Sequence, residues 1–96
     1  MSDKVTLDGT EIEAGDKVKF DVDATDHKAA SDGEYTVLIH SVGEVSGIDV
    51  AWIGDGNGNK VMYIREKVVR GGDHPTLALM RKTGEALGTM DGVEVV

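Results

Sequence analysis

The sequence predicts an all-β fold, a small barrel or sandwich, and three observations carry that expectation. Thirteen valines and only four aromatic residues must fill the core, and valine, with its stiff χ1, suits a pleated surface better than a helix. Thirteen glycines and a single proline supply tight turns without a proline-rich linker. Lys17-Val18-Lys19-Phe20-Asp21-Val22-Asp23 alternates charged and apolar residues without a fault, which sends Val18, Phe20 and Val22 to one face and the charges to the other. Ninety-six residues make one domain, with a small core and a thin stability margin.

Taken in order, Val5 to Ile12 carries Asp8-Gly9 between two short arms. A two-residue type I′ turn there pairs Leu7 with Thr10 and Val5 with Ile12. Residues 1–14 form this hairpin arm, 15–69 a barrel core, and 76–96 a C-terminal β extension. Asp23 to Gly33 is a polar loop in which Thr25 caps at most one helical turn. Residues 34–42 form the second long strand, followed by a connection bracketed by Gly43 and Gly47. Ile48 to Ile53 and Lys60 to Arg65 flank Asp55-Gly56-Asn57-Gly58-Asn59, a hairpin with a long glycine-rich tip. Val68-Val69 continues or closes that sheet. Gly71-Gly72-Asp73-His74-Pro75 is the strongest break. Thr76 to Arg81 reads as a strand, with a helix left open by Leu77, Ala78, Leu79 and Met80. Val93 to Val96 is a last strand or an ordered tail.

The middle strands are apolar on both sides. Tyr35, Val37, Ile39, Ile48, Val50, Trp52, Val61 and Tyr63 oppose Leu38, Val42, Ala51, Ile53, Met62 and Ile64. A strand of that kind is normally covered on both faces, and a soluble monomer rarely exposes such a patch. The cover is the N-terminal hairpin, the 76–96 segment, or another protein. With the four aromatics pointing into the core, Leu38, His40, Ile53, Met62 and Ile64 make the face left for a partner.

Acidic residues outnumber basic ones by 18 to 10, for a net charge of −8. Nucleic acids and anionic membranes are held by lysine and arginine, so the balance argues against both as direct partners. The chain has no cysteine, hence no disulfide framework and no thiol nucleophile. Met1-Ser2-Asp3-Lys4 opens no signal peptide, and no apolar run reaches the roughly 20 residues of a membrane span. These features fit a cytoplasmic or virion protein.

From Gly15 to Val69 the layout resembles the SH3-like small barrels, the group that includes Tudor and KOW modules. The residues that carry the resemblance are Gly15-Asp16-Lys17-Val18, then Gly33-Glu34-Tyr35-Thr36-Val37 after a variable loop, Ile48-Asp49-Val50-Ala51-Trp52, the glycine-rich turn, and Val61-Met62-Tyr63-Ile64. The likeness covers a little over half the chain. A Tudor-like member implies an aromatic cage for a methylated cation, with Phe20, Tyr35, Trp52 and Tyr63 as its candidates. A KOW-like member implies RNA contacts, against which the charge speaks. In general character, a small acidic β domain with extra arms looks like the decoration and connector proteins of tailed-phage virions.

Asp55, Asn57, Asn59 and Glu66 fall at the first, third, fifth and twelfth positions of a calcium loop. Lys60 stands where that loop requires glycine, and strands flank it where helices belong. His27, His40 and His74 show no metal-ligand spacing. Serine never occurs in a nucleophile-elbow pattern, and Gly71-Gly72-Asp73 lacks the lysine of a phosphate loop. No catalytic residue and no cofactor is expected. The leading expectation is a non-enzymatic assembly module, a homo-oligomer or a subunit docked on a larger particle. The alternatives are a barrel that binds a basic peptide at Trp52 and Tyr63, between acidic loops at 21–32 and 49–55, and a calcium site at 55–66.

Overall fold

The computed structural model describes residues 4–24, 33–66 and 77–96. Among them are nine strands and no helix: β1 (Lys4–Leu7), β2 (Thr10–Glu13), β3 (Lys17–Ala24), β4 (Gly33–Val45), β5 (Ile48–Gly54), β6 (Lys60–Glu66), β7 (Leu77–Arg81), β8 (Ala86–Met90) and β9 (Glu94–Val95). The helical turn expected after Thr25, the Val68-Val69 pair and the break at Gly71–Pro75 lie outside the described residues.

Strands β3 to β8 form an antiparallel meander that closes on itself. Along one edge, β3 pairs residues 17–22 with 38–33 of β4. Along the other it pairs Asp23 and Ala24 with Thr89 and Gly88 of β8, and Val18 and Lys19 with Val95 and Glu94 of β9. Closure leaves these staves no long free edge. The architecture is thus a small closed β-barrel of six strands, compatible with an SH3-like barrel, with an N-terminal hairpin and one extra C-terminal strand. It draws β7 and β8 from the segment expected to be an extension. Leu77 to Arg81 is a strand because each of its residues pairs with β6, Leu77 opposite Glu66 and Arg81 opposite Met62.

The N-terminal hairpin has the expected register, Leu7 opposite Thr10 and Val5 opposite Ile12. Its turn residues Asp8 and Gly9 both have positive φ, 49° and 79°, as a type I′ turn demands. Val5, Leu7 and Ile12 face inward and join Val18, Phe20, Val22, Ile39, Ala51, Ile53, Ile64, Leu77, Leu79, Leu87, Met90 and Val93 in one core. Polar contacts also tie the hairpin down. Thr10 Oγ1 donates to the Val93 carbonyl at 3.2 Å, and the Asp8 amide donates to Glu66 Oε1 at 2.9 Å. The chain leaving the hairpin exchanges backbone hydrogen bonds with β4 through Gly15, Asp16 and Ile39, each 2.8 Å.

β4 runs past the glycine expected to end it. Gly43 pairs with Val50 and Val45 with Ile48, and Ser46-Gly47 makes the turn with φ of 53° and 80°. A β-bulge interrupts β4: Ile39 pairs with Ile53, but Ser41, not His40, pairs with Trp52. An extra residue in one strand shifts the alternation beyond it. Val42 therefore turns inward opposite Ala51, away from the face it would share with Leu38 under unbroken alternation.

Both sides of the β5–β6–β7 sheet are apolar, as the sequence predicts. Ala51, Ile53, Ile64 and Leu79 belong to the main core. The opposite, outward side carries a second cluster of Val50, Tyr63, Ala78 and Met80, with Val45 and Trp52 packed on it. The expected inward face of β5 and β6 is thus the outward one. Trp52 and Tyr63 lie outside the barrel, and the strand face assigned to a partner is its interior.

Candidate functional site

The five residues of the expected partner face do not form one surface. Ile53 and Ile64 are 2% and 0% exposed in the main core. Met62 is half-buried against that core. His40 occupies the bulge, half-buried, with Nδ1 3.0 Å from Ser41 Oγ and Nε2 3.0 Å from the Gly58 carbonyl. Leu38 alone is open, at 46% exposure. The reason is the barrel's parity: Ile53, opposite Ile39, must point where Ile39 points.

Leu38 has other company. It is opposite Lys17 on β3, and the Lys17 carbonyl accepts the Val96 amide at 2.9 Å. Leu38, Lys17 and Val96 therefore form a row across three adjacent strand positions, on the outer side of the barrel. Val96 is 60% exposed and its neighbour Val95 42%. These are the exposed large hydrophobic residues among those described, and all lie on β4 or beside β3. The sequence leaves Val93–Val96 as a last strand or an ordered tail, because nothing local says which edge a two-residue strand will join.

The four aromatic rings separate into two pairs. Phe20 and Tyr35, opposite each other on β3 and β4, stack with centroids 6.1 Å apart on the core side. Trp52 and Tyr63, opposite each other on β5 and β6, meet edge to face at 4.9 Å on the outer side. No cage of four rings exists. Lys60 Nζ lies 5.0 Å from the centroid of the Trp52 ring, within the range of a cation–π contact. Asp21, Asp23 and Asp49, expected in acidic loops, sit within strands β3 and β5.

The β5–β6 tip is held by Asp55. Its Oδ1 accepts the amides of Asn57 at 2.7 Å and Asn59 at 3.2 Å, and Oδ2 accepts Asn59 Nδ2 at 3.1 Å. These bonds hold the carboxyl below the usual carboxylate range, the Asn57 amide contributing most. Both oxygens are thus spent on the loop itself. Glu66 stands at the far end of β6 and accepts the Asp8 amide. Six residue steps of strand separate it from Lys60, about 20 Å. Asp55, Asn57, Asn59 and Glu66 therefore cannot surround one ion, and the calcium expectation fails on that separation. Among the described residues no three His, Asp or Glu side chains converge as metal ligands, and none of these residues belongs to a helix long and apolar enough to cross a membrane. His27 and His74 lie outside the described residues.

Against this geometry, comparison with protein-family models, with curated proteins and with solved structures finds no match.

Proposed function

We propose that this protein is a non-enzymatic structural module that works by protein–protein contact, first with further copies of itself, through the surface of Leu38, Lys17 and Val96. The observation that carries the reading is the exposure of Leu38 and Val96 in one row across β4, β3 and the chain end, while the other apolar residues of the described strands are mostly buried or half-buried in the two clusters. Isolated exposed leucines are ordinary; a group on neighbouring strands is a contact surface in miniature. The patch is far smaller than the roughly 800 Å² per partner of a stable interface, so the association is weak and concentration-dependent, the kind that becomes effective when many copies array on a particle such as a virion. Equilibrium sedimentation from micromolar to millimolar concentration tests it. The mass rises above 10.2 kDa for the parent chain and stays there for Leu38→Glu; a parent chain that remains at the monomer mass throughout overturns it.

A second reading, a barrel that receives a basic peptide, is favoured by one observation, the Lys60 ammonium over Trp52. An aromatic face that holds its own cation is electrostatically suited to another. In this reading Lys60→Ala vacates the ring and raises the Trp52 fluorescence response to an oligolysine peptide, and added salt weakens it. A response equal in both chains removes this reading.

A further inference from the structure

The described bases are mostly spent. Lys4 pairs with Glu11 at 3.1 Å, Lys19 with Glu34 at 3.5 Å and Arg81 with Glu85 at 3.9 Å, and Lys60 rests on Trp52. Arg65, Lys82 and Lys17 have no carboxylate partner among the described residues, and of these Arg65 and Lys82 line the same half-open cavity of about 330 Å³.

The rest of that cavity fits the same chemistry. Its wall includes Ser46 at the β4–β5 turn, Thr83 and Gly84 at the β7–β8 turn, and Tyr63. The hydroxyls are donors to an oxyanion, whereas the Gly84 amide is already given to the Arg81 carbonyl at 2.8 Å. Val45 and Met80, from the second cluster, supply an apolar floor. Among the described residues no aspartate or glutamate lines it. Arg65 donates from Nε to the Glu66 carbonyl at 3.1 Å. That bond fixes the guanidinium plane and leaves the two terminal nitrogens for a forked contact. The volume stands at the small end of ligand sites. By comparison, the groove between β3 and the β8–β9 link is lined by Asp21, Glu34 and Glu94, which is what the overall charge leads one to expect anywhere on this surface.

We infer that the cavity between the β4–β5 and β7–β8 turns is a binding site for a small organic phosphate, its charged end held by Arg65 and Lys82 and its apolar body resting on Val45, Tyr63 and Met80. Three elements far apart in sequence must meet to build it, so it was not legible as a motif. The protein's net negative charge does not forbid it. At physiological salt the field of distant carboxylates is screened within about 8 Å, and the charged side chains that line the cavity among the described residues are the two cations. The site is separate from the Leu38–Val96 surface and stands whether or not that surface is an interface.

The test is a two-dimensional amide NMR titration of the full chain with phenyl phosphate, with inorganic phosphate and phenol as the two half-ligands. Phenyl phosphate shifts the amides of Ser46, Thr83 and Gly84 along saturable curves. Inorganic phosphate binds at the same residues more weakly, and phenol does not bind there. Arg65→Gln and Lys82→Gln, both solvent-facing changes whose spectra report that the fold is kept, each weaken phenyl phosphate about tenfold, the usual worth of one charge-assisted hydrogen bond. Arg65→Lys keeps the charge, loses the fork and falls between. Shifts that do not saturate, that centre elsewhere, that phenol reproduces, or that survive both glutamine changes overturn the assignment.

Discussion

His40 and Gly58 are joined by a 3.0 Å hydrogen bond from imidazole Nε2 to the backbone carbonyl, so the bulge of β4 clamps the tip of the β5–β6 hairpin. A carbonyl only accepts, so Nε2 carries the proton; in the neutral ring Nδ1 is then the acceptor for the Ser41 hydroxyl, 3.0 Å away. The clamp depends on the close approach of a third residue. A Cβ added to Gly54 would stand 3.2 Å from His40 Cβ, whereas one added to Gly43, in the same sheet, meets nothing within 4 Å.

Gly54→Ala is therefore expected to destabilise the fold by about 1–2 kcal/mol, the usual cost of forcing extra volume against a packed side chain. It should also break the His40–Gly58 bond. Gly43→Ala, with ordinary φ and open space, should be neutral or slightly stabilising, because alanine restricts the unfolded chain. Urea denaturation measures the first effect and the His40 ring resonances the second. Equal stability of the two variants contradicts the clamp.

The N-terminal hairpin offers a sharper contrast. Leu7 is fully buried in the main core, while Thr6 beside it is exposed. Leu7→Ala should cost about 2–5 kcal/mol, a large share of the stability of a domain this small. Thr6→Ala should stay within about 0.5 kcal/mol. Urea midpoints of the two variants decide it: similar midpoints would mean that the hairpin is an arm resting on the barrel and no part of its core.

The contrast also marks what local pattern conveys. Asp8-Gly9 and its alternating arms specify a hairpin through turn geometry alone, so its register was legible to the residue. The parity of β4 relative to β5 was not. It depends on His40 being an extra residue, and a bulge leaves no signature in a stretch such as Val37 to Val42, where apolar residues fall on both faces. That single insertion decides whether Ile53 or Trp52 faces the core, and hence where any contact surface lies. The cavity at Arg65 and Lys82 was invisible for another reason: two turns and strand β6 meet there only through the pairing of β5, β6 and β7.

The parity has a direct mutational consequence. Ile64 is 0% and Leu38 46% exposed, though the plain alternation of the sequence groups them. Ile64→Ala should cost about 2–5 kcal/mol, whereas Leu38→Ser should change folding stability by no more than about 0.5 kcal/mol. Thermal melts at equal low concentration, where self-association is absent, separate the two. Comparable losses would restore the grouping that the barrel contradicts.

The β5–β6 tip gives the last contrast, in pH and in metal. Asp55 has a folded-state pKa below its ordinary 3.8, caused first by the Asn57 amide and then by Asn59. Because the folded carboxyl binds its proton less readily than the unfolded one, its contribution to stability is present above the unfolded pKa and disappears as pH falls through the lower folded value. The window lies on the acid side of 3.8. The carboxyl resonance of Asp55 followed by NMR should titrate below that of an unfolded reference, and Asn59→Ala should move it partly back, since it removes the Nδ2 bond but keeps the backbone ones. The same internal satisfaction means that millimolar calcium should leave the melting temperature unchanged, because an ion would have to break three hydrogen bonds and still could not recruit Glu66. A rise in melting temperature that Asp55→Ala abolishes would show instead that the loop opens and takes the ion with ligands of its own.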